Sequence, residues 1–343
     1  MTLTQDTMPR DFTSLIPHGF RAWYQPVFTV LFLLGLGAAL FYVVDAAALL
    51  RAFDHFSYGS LWWILAVAVA SLLVKSLRWH VLVARLVDGI PVRASVASYV
   101  GGQALVLLPG GFALRLWLLN RALGRSSQAG AAVLMQEFEE LLSLMVLAAF
   151  ALCAWEGNVA PLGAVLVVVA CLAVVVTNDQ LARACLRCAT PIRQLDGVVA
   201  RLRHFRQQTR RLLNPKTMAS SMALSLIGNL AGPVALLLVW HGFGIQSSGI
   251  SQASLVFSFS TLAGAVSPLP GGMGIAEIGL AGLMCGVLGS AVTANSAMAM
   301  GLVFRACTFL FSVALGLVTL VTLYAWSVVT LRSLQSRRVM TAA

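Results

Sequence analysis

Two ionisable residues of opposite charge stand inside long apolar runs of this chain. Glu277 follows a Pro-Gly-rich break in the run 251–289, and Arg305 lies deep in the run 295–328. Charged side chains at membrane depth are rare, and they pair with one another or mark a substrate pathway. Two interpretations are open: a static ion pair that orients the broken segment, or a pair that exchanges partners with an anionic group of a ligand.

Three carboxylates stand near the beginning of another apolar run, 129–154. Glu137 and Glu140 are three residues apart and share a helix face, whereas Glu139 faces elsewhere. These carboxylates could be solvated at the membrane interface, or they could face the preceding broken segment and pair with Arg115. We expect the solvated position for Glu139.

Two of the apolar runs, 94–119 and 251–289, are interrupted near the middle by the same Leu-Pro-Gly-Gly corner. Proline removes a backbone donor and tandem glycines free the backbone, so each run is predicted to form two half-length helices in a re-entrant hairpin. A helix beginning after such a corner would direct its positive dipole end inward, which favours an anionic group such as a lipid phosphate. The corner residues are Pro109, Gly110 and Gly111 in the first hairpin and Pro270, Gly271, Gly272 and Gly274 in the second.

The composition requires that these hairpins lie in a membrane. Of the 343 residues, 59% are hydrophobic and only 10% are charged, which excludes a soluble enzyme, a disordered chain and a secreted disulfide scaffold. A bilayer core of about 30 Å needs about 20 apolar helical residues. Full spans are predicted at 27–50, 59–83, 129–154, 158–177, 217–240 and 295–328.

The basic residues test this layout of six spans and two hairpins. With both termini in the cytoplasm and each hairpin returning to its own side, only Arg51 falls outside and Arg305 lies within a span. The remaining Lys and Arg residues are cytoplasmic, as the positive-inside rule requires. In this layout we expect Lys75 and Arg78 at the cytoplasmic interface, where long basic side chains extend toward water.

The layout divides one integral membrane domain, residues 1–343, into two halves of opposite orientation. The first half covers 27–154, the second covers 158–328, and a basic cytoplasmic linker covers 178–216. Inverted repeats with broken helices in matching positions indicate a transporter-type site at the membrane midplane. The linker could lie on anionic lipid head groups as an amphipathic helix or form a solvated loop.

Signals for other chemistry are absent from the sequence. There is no G-x-G-x-x-G, no Walker lysine and no H-E-x-x-H, and the Cys185-x-x-Cys188 pair has neither a second pair nor a histidine at metal spacing. We therefore expect no cofactor, no metal and no catalysis. The net charge of +11 needs no nucleic-acid partner, because Lys and Arg collect on the cytoplasmic side of membrane proteins.

The segment Pro270-Gly271-Gly272-Met273-Gly274-Ile275-Ala276-Glu277 resembles the P-G-G-x-G-x-x-E signature of the lysylphosphatidylglycerol synthase transmembrane region family, the flippase-like membrane domain of multiple peptide resistance factor proteins. Arg305 matches an arginine that family members carry in the last helix. The chain ends shortly after that helix, so the resemblance implies lipid translocation without the soluble synthase domain. Aminoacylated phosphatidylglycerol, polyprenyl-linked sugars and hopanoids are the cargoes that the resemblance leaves open.

These observations predict an all-α polytopic protein of a bacterial inner membrane with two inverted halves, six full spans and two opposed re-entrant hairpins. We expect it to move an amphipathic, anionic lipid between leaflets. The predicted head-group site comprises Pro109, Gly110, Gly111, Arg115, Glu137, Glu140, Pro270, Gly271, Gly272, Gly274, Glu277 and Arg305.

Two rival functions remain. One is a non-transporting subunit that supports a glycosyltransferase or a lipid-modifying partner. The other is an intramembrane enzyme, for which Glu137, Glu140 and Glu277 are the candidate acid/base groups and no nucleophile stands among them.

Overall fold

The computed structural model of the protein describes residues 56–106, 113–123, 129–157, 214–267 and 274–323, together with positions 160, 163, 212, 272 and 325. These residues belong to one compact unit, Leu49–Ala343. They form helices and no strand. The helices are α1 (Gly59–Ala84), α2 (Val92–Gly102), α3 (Ala113–Leu123), α4 (Gly130–Glu156), α5 (Pro215–Gly242), α6 (Ile250–Val266), α7 (Ile275–Leu288) and α8 (Ala294–Arg305).

Four of these helices are long and apolar enough to cross a membrane. They are α1, α4, α5 and α8, of which α8 continues through a π-helical turn at Ala306–Leu310 as far as Leu323. Their bounds match the spans predicted at 59–83, 129–154, 217–240 and 295–328. Only 17% of the most apolar window of α1 is buried within the protein, so packing inside the protein does not account for its apolar composition.

The short helices occur in two adjacent pairs, and the two members of each pair pack together. The helices α2 and α3 flank the first predicted corner, and α6 and α7 flank the second. The helices of the first pair have 11 residues each, and those of the second pair have 17 and 14 residues. A 3₁₀ turn at Gln103–Leu105 extends α2.

Glycine permits the close approach at the second corner. Gly272 has a φ of +65°, and a Cβ atom placed there would lie 2.7 Å from the backbone of Gly264 in α6. Gly274, with a φ of +88°, is the N-cap of α7, and its N–H donates to Oε2 of Glu277 at 2.5 Å. Gly272 and Gly274 therefore supply the positive-φ backbone that precedes α7, and the cap at Gly274 fixes Glu277 in the first turn of that helix.

The long helices have defined relative directions. Ser57 N donates to Gly242 O at 2.8 Å, and Ser71 Oγ donates to Gly228 O at 2.9 Å, so α1 and α5 are antiparallel. Glu139 of α4 contacts Ser221 of α5, and Ser143, one turn later in α4, contacts Asn229, which is also later in α5. The helices α4 and α5 are therefore parallel.

Two apolar clusters stabilise the bundle. One surrounds Trp240 and joins α5, α7 and α8, and the other surrounds Trp79 and joins α1, α3 and α4. The indole of Trp79 donates to Ser98 Oγ at 3.0 Å, which satisfies its buried N–H.

Several predictions fall outside the described residues. These are the span at 27–50, the span at 158–177 and the linker 178–216 apart from a few positions in each, and the corner residues Pro109, Gly110, Gly111, Pro270 and Gly271.

Candidate functional site

A cavity of about 240 Å³ lies where α1, α2, α5, α6 and α8 meet, with Glu140 of α4 in its wall. Its volume lies below the value of about 300 Å³ at which sites for drug-sized ligands begin. Small residues of α5 open the space, among them Gly228 and Gly232. The polar side chains in its wall are Ser71, Lys75, Tyr99, Gln103, Glu140, Thr261, Arg305, Thr308 and Ser312.

One cationic group of the cavity comes from α1. Lys75 Nζ donates to Glu140 Oε1 at 2.5 Å, and Arg78 Nη2 lies 2.8 Å from Glu140 Oε2. Arg78 stands one turn after Lys75 and is 1% exposed, and its Nη1 also donates to Ser225 Oγ of α5. A single carboxylate thus holds two cations from the neighbouring helix.

The second cationic group comes from α8. Arg305 Nε donates to Glu277 Oε1 at 2.7 Å, and its guanidinium stacks on Phe309 with 4.9 Å between Cζ and the ring centroid. The other oxygen of Glu277 caps α7 through Gly274, so this carboxylate ties α7 to α8. The pairing of Glu277 with Arg305 that we considered from the sequence is therefore present.

A third ion pair joins α3 to α4. Arg115 Nη1 donates to Glu137 Oε1 at 3.2 Å, and the guanidinium of Arg115 lies over Tyr99 at 4.7 Å from the ring centroid. Arg115 is buried, whereas 54% of the Glu137 side chain is exposed. Tyr99 lines the cavity, so Arg115 is connected to the cavity by its contact with the Tyr99 ring.

The structure brings together only some of the predicted site residues. Glu140 and Arg305 line the cavity, and Glu277 contacts it through Arg305. Glu137 and Glu140, which share a helix face, have different partners, because α3 and α1 approach that face separately. Gly272 and Gly274 shape the second corner.

The expectation that Arg78 and Glu139 reach water was wrong, whereas Lys75 is partly exposed. Arg78 and Glu139 are 1% and 2% exposed, and the side chain of Lys75 is 22% exposed. Distance along a single helix suggested proximity to water, but α5 packs against α1 and α4 at this level and covers them.

Sequence reasoning missed Lys75 as a cavity residue and missed a row of polar residues on α5. Thr217, Ser221, Ser225 and Asn229 occur at intervals of four residues and are all buried. That spacing is a readable signal, because residues four apart share a helix face. Asn229 joins α5 to α4, since its Nδ2 donates to Ser143 Oγ of α4 at 2.6 Å.

The chemistry of the cavity suits an anion. Lys75 and Arg305 offer charged donors, while hydroxyls of α6 and α8 offer neutral ones. When no anion is bound, Glu140 supplies the negative charge that balances Lys75, and Glu277 supplies the one that balances Arg305. Within the residues described by the structure, no three His, Cys, Asp or Glu side chains are grouped as a metal site would require.

The family assignment agrees with this membrane site. Residues 27–316 match the family described as lysylphosphatidylglycerol synthase TM region. The chain belongs to this family. The protein is therefore a helical multi-pass membrane protein related to the membrane domain of these synthases.

A shorter similarity concerns an archaeal protein. A segment of 75 residues is 37% identical to a UPF0104 membrane protein of Methanothermobacter thermautotrophicus and covers 22% of this chain and 22% of that relative. The chain thus matches about a fifth of that protein's length.

Proposed function

We propose that this family member is a lipid translocase that moves an amphipathic, anionic lipid between the leaflets of the bacterial inner membrane, without a catalytic step. The observation that carries the proposal is the cavity with two cations, Lys75 and Arg305, each already held by a carboxylate. A phosphate-containing head group would enter between these cations while its acyl chains stay in the bilayer. Arg305 would bind the phosphate, and Glu277 would return as its partner when the lipid leaves.

Two inverted halves with re-entrant hairpins are the architecture that we infer for this movement. Arg115 is the third residue of α3 and pairs with Glu137 of the next long helix, and Glu277 is the third residue of α7 and pairs with Arg305 of the next long helix. The two ion pairs thus occupy corresponding positions, but the arginine is on the short helix in the first pair and on the long helix in the second. Each arginine also stacks on an aromatic ring.

Helix contacts support the same inference. The helix α4 packs against α6, and the end of α8 packs against α2, where Gly316 approaches the backbone of Ala104. The antiparallel α1 and α5 and the parallel α4 and α5 have the directions that the six-span layout requires. With both termini in the cytoplasm, the cavity would lie between the halves, which is where inverted-repeat transporters hold their substrates.

A leaflet-exchange assay tests the function. Purified protein is reconstituted in liposomes with labelled anionic or zwitterionic lipids, and exchange is compared among wild type, Glu277→Gln and Arg305→Ala. Asp88→Asn and Arg93→Ala serve as matched controls, because both side chains are exposed and lie outside the cavity. We expect exchange of the anionic lipid in wild type and in both controls, and its loss in both site variants.

The assay can also refute the proposed translocation. If wild-type liposomes exchange no lipid faster than empty liposomes, with and without an imposed proton gradient, translocation is refuted. The protein would then be better explained as a membrane subunit for a glycosyltransferase or lipid-modifying enzyme. Co-purification from native membranes would identify such a partner.

A further inference from the structure

A row of buried polar residues runs along one face of α5. Thr217, Ser221, Ser225 and Asn229 are each at most 1% exposed, and the row extends for about 18 Å at 1.5 Å per residue. Opposite it on α4 lie Glu139 and Ser143, which are also buried. We refer to these six residues as the polar seam.

Hydrogen bonds connect most of the polar seam. Ser221 Oγ donates to Glu139 Oε1 at 2.5 Å. Ser225 Oγ lies 3.0 Å from Ser143 Oγ and 3.1 Å from the carbonyl oxygen of Glu139, and Asn229 donates to Ser143. Ser221 is therefore the residue of α5 that bonds the Glu139 carboxylate, while Ser225 and Asn229 join α5 to Ser143 and to the backbone of α4.

Three buried polar atoms in the polar seam have no hydrogen-bond partner among the described residues. They are Thr217 Oγ1, Glu139 Oε2 and Asn229 Oδ1. A buried polar group without a partner is costly, and such groups are regularly satisfied by buried water or by taking up a proton. Glu139 Oε2 is the atom of the three that a proton can convert from an acceptor into a donor.

The charges around Glu139 connect the polar seam to the cavity. Arg78 of α1 and Glu140 of α4 are its charged neighbours, and the facing residues 217–229 of α5 and all of α6 carry no ionisable side chain. With both carboxylates ionised, Lys75, Arg78, Glu139 and Glu140 are electrically balanced. A proton on Glu139 leaves this group with one net positive charge beside the cavity wall.

We propose that Glu139 is a proton-binding group whose protonation changes the charge beside the cavity. Only an O–H bond on Oε2 forms and breaks: the carboxylate takes up a proton from water, becomes neutral, and later releases the same proton. The net positive charge in the protonated state favours an anionic head group in the cavity. The coupling of proton and lipid movement rests on the proposed translocase function, whereas the protonation of Glu139 does not.

Infrared spectroscopy of the purified full-length protein tests protonation without any transport. A pH titration of wild type is expected to show the C=O stretch of a buried carboxylic acid, which is missing in Glu139→Gln and retained in Asp88→Asn. Ser221→Ala should retain the band at a shifted frequency, because it removes the hydroxyl that donates to Glu139 Oε1. The same band in Glu139→Gln as in wild type would overturn the assignment, as would its absence from wild type.

Liposomes with an imposed pH difference test the coupling. One pH unit is a tenfold difference in proton activity, so one proton per lipid shifts the steady-state distribution of the labelled lipid between leaflets by up to tenfold. In Glu139→Gln, exchange without a gradient should continue while this shift disappears. The coupling would be overturned if the pH difference shifted the lipid distribution equally in Glu139→Gln and wild type. It would also be overturned if the distribution in wild type did not change with the pH difference. No exchange in any variant would refute the translocase itself, and the infrared band would still decide whether Glu139 binds a proton.

Discussion

The ion pair between Glu277 and Arg305 is expected to hold α7 against α8, and a double-mutant cycle measures that effect. The variants are Glu277→Gln, Arg305→Met and the double substitution. Glutamine retains an oxygen that can accept from Gly274 N, so Glu277→Gln removes the charge and leaves the helix cap in place. The cycle therefore isolates the pairing of the two side chains.

Geometry sets the magnitude. The Nε–Oε1 distance is 2.7 Å, and the side chains of Arg305 and Glu277 are 20% and 21% exposed. Exposed pairs contribute about 0–1 kcal/mol, and breaking a fully buried pair costs about 3–5 kcal/mol. For this intermediate burial we expect a coupling free energy of about 2 kcal/mol, in the range of a charge-assisted hydrogen bond.

Unfolding in mixed detergent micelles provides the assay, with the free energy of unfolding compared among the four proteins. Glu277→Ala is the control for the cap, and we expect it to be about 1 kcal/mol less stable than Glu277→Gln because it also loses the acceptor for Gly274 N. The same cycle on Arg115 and Glu137 is expected to show less than about 1 kcal/mol, because the Glu137 carboxylate is half exposed. A coupling below about 0.5 kcal/mol for Glu277 and Arg305 would refute the argument, since independent sites add within that margin.

Three further substitutions test the packing and the cavity. Gly316→Ala places a Cβ atom 2.5 Å from Ala104 N, so we expect a loss of about 1–3 kcal/mol in the free energy of unfolding. In Gly272→Ala, strain at positive φ adds to the 2.7 Å approach of the Cβ atom to Gly264, and we expect the free energy of unfolding to fall by at least about 1 kcal/mol. If Gly316→Ala or Gly272→Ala is as stable as wild type, the packing described here is contradicted. Lys75→Met is expected to weaken binding of an anionic lipid about tenfold or more while leaving zwitterionic lipid unaffected, measured by titration of labelled lipids; equal losses for both lipids would indicate a structural role.

Much of the helical architecture could be predicted from the sequence. The lengths of the apolar runs predicted the four described spanning helices, because a bilayer accepts only segments that satisfy their own backbone hydrogen bonds. The pairing of Glu277 with Arg305 could also be anticipated, since a charge inside an apolar run needs a partner and few were within reach. The family signature and the glycine corner located the residues that begin α7.

Other features needed the tertiary structure. Position along a single helix suggested that Arg78 and Glu139 are solvated. Both are buried because α5 packs over them, and Ser221 of α5, which contacts Glu139, is 82 residues away in the sequence. Likewise, no local pattern revealed that Lys75 and Arg305 share a cavity.

The sequence by itself determined which segments are long and apolar enough to cross a membrane and which charges in them need partners. Those properties follow from the local cost of exposing backbone and charge to lipid. The tertiary structure alone decided which partner each charge has and where a cavity remains. Those properties depend on helix directions and on close approaches at small residues, such as that between Gly228 and Lys75, which no single segment contains.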